Sequence, residues 1–322
     1  MLKLAIAADE PCKVVNAGEM FKQLGVETLD LRKLDMSQCV CARQMFDECT
    51  SLKTLKQNWD LSNVVDGQDM FHNCRALTEL DTSNWNLSKL ENGYRMFQVC
   101  ESLGGLDTSK WDLSHLQNAR AMFDYCQVLS EIDTSDWDLS NVTDTKAMFN
   151  NCVNLTRLSA SNWGLNTVSD AMGMFYGCRA LTAIIGSGSW DLSSVTRMRN
   201  MFQDCPSLTE LDASDWKLTA LQATYTDIQT GYTTPAAQHM FNGSGLTKLT
   251  INGQALKKLI AAGAIDIDRQ QYGSEEISEF YNAIMTFTGS VQGKKFIITG
   301  LEKYRARDGD WEYPAVDSDE EM

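Results

Sequence analysis

The sequence predicts an α/β repeat solenoid, a right-handed stack of coils closed by terminal caps. Three observations predict it. Met-Phe pairs begin at Met20, Met45, Met70, Met96, Met122, Met148, Met174, Met201 and Met240, spaced 25–27 residues apart until a final interval of 39. A Cys stands three residues after Phe in seven repeats: Cys49, Cys74, Cys100, Cys126, Cys152, Cys178 and Cys205. A Trp closes each of those units: Trp59, Trp85, Trp111, Trp137, Trp163, Trp190 and Trp216. A fixed period of this length means one supersecondary unit per repeat, each burying its apolar face against the next.

Residues 1–19 read as an N-terminal cap, with Leu2, Leu4 and Ile6 on the inner face of an edge strand. The apolar stretch before Asp9 and Glu10 is too short for a secretory core, so no signal peptide is expected. Residues 20–252 hold nine coils. Met, Cys and the following Leu stand at i, i+4 and i+7, one face of a short helix of about two turns. The L-D-T-S stretch reads as a short strand. The Trp-Asp-Leu-Ser-x-Val segment then turns the chain toward the next Met-Phe. At ~4.8 Å per coil the body is about 40–45 Å long.

One-residue length changes fall between Cys and Trp. The single large insertion follows Trp216 and occupies 222–236. It contains Tyr225, Asp227, Tyr232 and Pro235 in a Thr-rich frame. Large amphipathic rings make it the candidate binding element; the plain alternative is a mobile loop. Residues 253–300 read as a C-terminal cap, with helices at Gln254–Ala262 and Ser274–Phe287 and a strand at Lys295–Thr299. Residues 301–322 are an acidic tail, with seven acidic and no basic residues from Asp308 onward.

The net charge of −15 disfavours nucleic-acid phosphates and anionic membranes as partners. No stretch is long and apolar enough to span a bilayer. The Cys column points one way along the stack, so free buried thiols are expected rather than disulfides. The Trp column is expected in the core.

Two Asp columns recur. Asp81, Asp107, Asp133 and Asp212 follow the strand Leu; Asp60, Asp112, Asp138 and Asp191 follow Trp. Both suit Asx-turn capping. The second is also a candidate cation ladder, because rows of hard oxygen ligands suit Ca²⁺. No metal or cofactor is assigned. The three His, His72, His115 and His239, lack metal-type or triad spacing, and no catalytic motif occurs, so no enzyme is expected.

The unit M-F-x-x-C-x-x-L-x-x-L-D-T-S-x-W-D-L-S-x-V, repeated from about Met20 to Ile251, resembles the tandem repeat of BspA-like leucine-rich-repeat proteins in its mycoplasma-lipoprotein form. That resemblance implies a leucine-rich-repeat-like solenoid. It also implies non-enzymatic, surface-displayed proteins that bind host proteins, glycans or other cells. It carries over no particular binding residue. Similar repeats occur in bacteriophage and prophage genes. The expected role is a recognition or structural solenoid with a protein or glycan partner. The expected setting is a virion, as a fibre, decoration or receptor-binding component, with virion subunits or further copies as neighbours. A bacterial surface adhesin and an intracellular assembly scaffold are the alternatives.

Overall fold

A computed structural model describes residues 3–5, 12–267, 287–291 and 294–299. The short strands are β1 (Lys3–Ala5), β2 (Cys12–Lys13), β3 (Thr28–Asp30), β4 (Leu34–Asp35), β5 (Thr54–Lys56), β6 (Glu79–Leu80), β7 (Arg157–Ser159), β8 (Ala183–Ile185) and β9 (Glu210–Ala213). They continue with β10 (Thr224–Thr226), β11 (Thr233–Pro235), β12 (Lys248–Ile251), then helix α1 (Gly253–Ala261), β13 (Asp266–Ile267), β14 (Phe287–Val291) and β15 (Lys294–Thr299). Successive repeats pair in parallel: β1-β3-β5-β6 on one sheet, β7-β8 on another, and β9-β12-β15 within a third. The register steps one repeat at a time, as in Leu29 opposite Leu55 and Leu55 opposite Leu80.

The Met-Phe segments are not helices, which corrects the sequence expectation. Each is a run of tight turns. In the second repeat the N–H groups of Met45, Asp47 and Cys49 donate to the carbonyls of Ala42, Gln44 and Phe46, three residues back. The alternate N–H groups, from Ala42, Gln44, Phe46 and Glu48, donate outward to Asp66, Gln68, Met70 and His72 of the next repeat. The same four outward bonds recur at each junction from the first repeat to the ninth, at 2.7–3.1 Å. A helix would hold all these donors inside its own chain; here half of them join repeats.

Turning alternate donors outward needs a left-handed residue just before each Met and two after each Phe. Gln44 and Glu48 have φ of 56° and 60°, and Arg95 and Val99 have 53° and 62°. The third position of a type II turn needs φ > 0. In the seventh repeat both places are glycine, Gly173 and Gly177.

The strand after the second Leu is absent at Leu103–Leu106 and Leu129–Ile132. Gly104 and Gly105 supply no side chain to hold the first of these extended, and the second then lacks a paired neighbour on that side. Thr hydroxyls bridge the gap: Thr82 donates to the Asp107 carbonyl at 2.7 Å, and Thr108 and Thr134 reach Asp133 and Ser159 at 2.5 Å.

The core is columnar. Phe rings stack from Phe21 to Phe241 with centroids 5.1–5.9 Å apart and planes within 12°. Trp85 to Trp216 form a second column at 5.9–6.4 Å. Stacked pairs add about 0.5–1.5 kcal/mol each beyond area burial. All ten cysteines are free. Their column does more than fill space. Cys74, Cys100, Cys126, Cys152, Cys178 and Cys205 each donate Sγ–H to the Phe carbonyl one repeat back, at 3.0–3.2 Å. Burial pushes the Cys100 and Cys205 thiols up to about 12, so the proton needed for donation stays in place.

At the C-terminal end, α1 lies within the expected cap, with Asn252 as N-cap accepting from the Ala255 N–H at 2.9 Å. Leu256 and Leu259 are buried among the last apolar layer, and β15 covers the open edge of β12. Of the helix expected at Ser274–Phe287, only Phe287 is described, and it begins β14; the acidic tail and the side chains of Leu2, Leu4 and Ile6 lie outside the described residues.

Two substitutions test this packing. Val99 is β-branched in a left-handed turn, a costly combination. Val99→Gly should raise stability by about 0.5–1 kcal/mol in denaturant unfolding, and Gly177→Val should lower it; the opposite ranking refutes the turn assignment. Cys126→Ala should cost about 1–2 kcal/mol through a small cavity and a lost donor. An unchanged melting curve would contradict the column's role.

Candidate binding site: the hairpin and the polar stripe beside it

The insertion folds into a β-hairpin. β10 and β11 pair antiparallel, Tyr225 opposite Thr234. Asp227 closes the tip: its Oδ1 accepts the N–H groups of Gln229 and Thr230 and the Thr230 hydroxyl, at 2.8–3.0 Å. Those bonds, the Thr230 N–H foremost, hold its carboxyl below the usual range. The Ala236 N–H rejoins the Ala223 carbonyl at 3.1 Å.

The four sequence candidates have different positions here. Tyr225 turns inward against the core, with the Arg197 guanidinium 4.4 Å from its ring centre. Pro235 ends β11 and packs beside Gly263. Asp227 shapes the turn. Tyr232 alone presents its ring, at 76% exposure, and it is accompanied by Ile228 at 93%. Ile228 carried no signal in the sequence, because one aliphatic residue in a polar loop follows no period.

Both Asp columns close turns. Asp81, Asp107, Asp133 and Asp212 accept the N–H of the serine two residues on, at 2.9–3.1 Å. Asp60, Asp112, Asp138 and Asp191 do the same to Ser62, Ser114, Ser140 and Ser193, at 2.9–3.0 Å. The serine hydroxyls, then their N–H groups, lower the carboxyls of Asp81, Asp107, Asp133 and Asp112. Burial would raise Asp191, yet Lys217 at 2.7 Å and Ser193 outweigh it and leave it lowered. Among the described residues, no group of three or more His, Cys, Asp or Glu is placed to hold a metal ion.

A third column escaped the sequence reading. Asn16, Asp66, Asn92, Asn118, Asp144 and Asp170 stand four residues before Met, and each caps the N–H two residues on. Their recurrence was the available signal. Beside them runs a stripe of half-buried residues: Tyr94, Arg120, Lys146, Arg197 and Arg199. Arg95 and Arg120 lie 4.6 and 5.7 Å from the Tyr94 ring centre. Arg197 pairs with buried Asp170 at 2.8 Å. Arg199 donates to the Thr234 hydroxyl at 3.2 Å, fixing the hairpin to the stripe.

On the far side of the Met-Phe turns lies Asp124, 7% exposed. It accepts from Gln98 at 2.6 Å through Oδ2, and its buried Oδ1 has no partner among the described residues. Burial pushes its carboxyl up to about 6.

No helix among the described residues is long and apolar enough to cross a membrane. Fold and site together define a repeat protein whose regular stack carries one projecting hairpin. The profile of DUF285, described as a mycoplasma protein of unknown function, matches residues 15–134 and 127–241. The chain belongs to this family, the BspA-like repeat family that its repeat unit resembles. No curated protein matches it. Among solved structures, a chain of the TLR13–ssRNA13 complex is 17% identical, with a TM-score of 0.28. That match covers 74% of this chain, which in turn spans 42% of the other. At that TM-score the likeness carries no argument.

Chelator treatment should leave the melting temperature unchanged, since each ladder carboxylate already closes a turn; a drop on adding EDTA, restored by Ca²⁺, would establish a cation ladder. Asp124 should give a pH signature. Its folded form holds a proton that the unfolded chain releases near pH 4, so stability falls as pH rises from about 4 to 6. Asp124→Asn should therefore be more stable than the parent above about pH 7, by roughly 1–3 kcal/mol, and equal to it near pH 4. Thermal unfolding across that range reads both.

Proposed function

We propose that this protein is a non-enzymatic recognition solenoid, a right-handed coil of leucine-rich-repeat type that binds a protein or glycan at a surface. One observation carries the reading. In a stack whose large side chains are almost all buried, the single long insertion forms a hairpin that holds Ile228 and Tyr232 out in solvent. Aromatic anchors on a rigid support are the usual centres of binding energy. Arg197 and Arg199 brace the hairpin from beneath, so little ordering entropy remains to be lost on binding. Family membership supports a repeat-based binding role. The absence of catalytic or metal-type spacing in the sequence supports a role without chemistry.

The finer part of the reading is the setting, a bacteriophage particle. Its support is the occurrence of similar repeats among phage-encoded proteins. Recovery of the chain from washed virions tests it, and recovery from cell envelopes alone transfers the role to an adhesin.

The hairpin is tested by the double variant Ile228→Ser/Tyr232→Ser. It should keep the parent melting curve and lose at least about tenfold in binding to whole cells or arrayed glycans, the scale of one or two hot-spot side chains. Undiminished binding by a folded variant would remove the hairpin from the site.

A further inference from the structure

The stripe beside the hairpin concentrates positive charge on a strongly acidic protein. Arg120, Lys146, Arg197 and Arg199 stand in the fifth, sixth and eighth repeats, facing Asp144 and Asp170, with the hairpin's Asp227 also near Arg197. The cations are under-compensated. Burial lowers the Lys146 amine, and Arg120 and Arg197 lower it further, with Asp170 and Asp144 opposing. Among the described residues, Arg199 has only the neutral Thr234 hydroxyl as its partner, at 3.2 Å, while Arg197 pairs with Asp170 at 2.8 Å. Tyr94 and Tyr225 bound the stripe at its two ends, each with an arginine over its ring. Half-buried guanidinium groups beside an amine of the same sign, framed by aromatic rings, form a receptor for spaced carboxylates.

The interleaved Asp144 and Asp170 set the kind of ligand. A uniformly charged polyanion would meet both at close range, where like charges repel by about 3 kcal/mol at an effective dielectric of 20. A peptide that presents carboxylates at intervals, with aromatic side chains between, can avoid them. The sequence contains one such segment. Residues 308–321 carry Asp308, Asp310, Glu312, Asp317, Asp319, Glu320 and Glu321, with Trp311 and Tyr313 and no basic residue. Eight residues separate Asp308 from Thr299 at the end of β15, a reach of about 30 Å. The segment adds further length of its own, enough to pass from the last repeat to the fifth at ~4.8 Å each.

We propose that the Arg120–Lys146–Arg197–Arg199 stripe is a docking groove for an acidic peptide, and that its occupant is the segment 308–321 of this chain. The segment's carboxylates sit on the cations, and Trp311 or Tyr313 lies against a flanking tyrosine. The docking is independent of the hairpin tip.

Zero-length carbodiimide coupling of the full chain at low ionic strength, read by peptide mass spectrometry, tests this. Lys146 should be joined to a carboxylate within 308–321. The yield should fall about tenfold in Arg120→Glu/Arg199→Glu, which removes two charge-assisted contacts but keeps the lysine. It should fall likewise in about 0.5 M salt, where screening acts within ~5 Å. Mixing isotope-labelled with unlabelled chains shows whether the segment comes from the same copy or a neighbour; either origin supports the docking. Coupling of Lys146 only to Asp144 or Asp170, or a yield indifferent to charge reversal, would overturn it. Ile228→Ser/Tyr232→Ser should leave the coupling intact, so this proposal and the hairpin reading can fail separately.

Discussion

The outward hydrogen bonds of the Met-Phe turns govern the rest of the molecule. Each repeat commits four N–H donors to carbonyls of the next. A single repeat would leave those donors, and their partner carbonyls, without protein partners, so stability is shared between neighbours rather than owned by any unit. The ladder also sets the distance between repeats. Phe rings 5.1–5.9 Å apart follow from that spacing, and rings at such separations are well placed for offset stacking. Cys is suited to its column for the same reason. The Phe carbonyl already receives the Cys N–H of its own repeat, and its remaining lone pair faces a pocket large enough for a thiol from the next.

The core was legible in the sequence because its period is rigid. Met, Phe, Cys, Leu and Trp recur where the buried columns stand. The helix expectation failed for a physical reason. Two left-handed residues four apart, such as Gln44 and Glu48, bend the chain so that Met45 and Cys49 share a face, and a helix gives the same spacing. Apolar pattern alone cannot separate the two. The distinguishing sign was Gly173 and Gly177, the one repeat where both strained places hold the residue that favours φ > 0. Elsewhere Glu, Gln, Asp, Arg, Asn, Ala, Tyr, His and even Val fill them, which shows that the ladder's eight junctions outweigh a strain of about 1 kcal/mol per residue.

The site was legible where it broke the period and hidden where it did not. Thirteen extra residues announced the hairpin, but not which of its side chains face water. Tyr225 and Tyr232 look equivalent in sequence; Tyr225 lies in β10, close enough to the stack to pack on the core, whereas Tyr232 precedes β11 near the hairpin tip, beyond the core's reach. The stripe was invisible because its positions vary freely from repeat to repeat: Gln68, Tyr94, Arg120, Lys146, Met172, Arg199. Only the turn geometry shows that these six share one line along the stack.

Charge ties these features together. A chain with a net charge of −15 repels acidic ligands at long range and does so most strongly at low salt. Four half-buried cations, three on one line and Arg197 on the column beside it, reverse that field only locally, within a Debye length of the surface. Such a patch is poor at steering a distant polyanion and good at holding a carboxylate that already lies near by. A tethered acidic segment meets that condition, because its effective concentration is set by the length of chain that joins it to the stack and not by diffusion through a repelling field. The same electrostatics that make the surface unfavourable to free anions therefore favour an anion supplied by the protein itself.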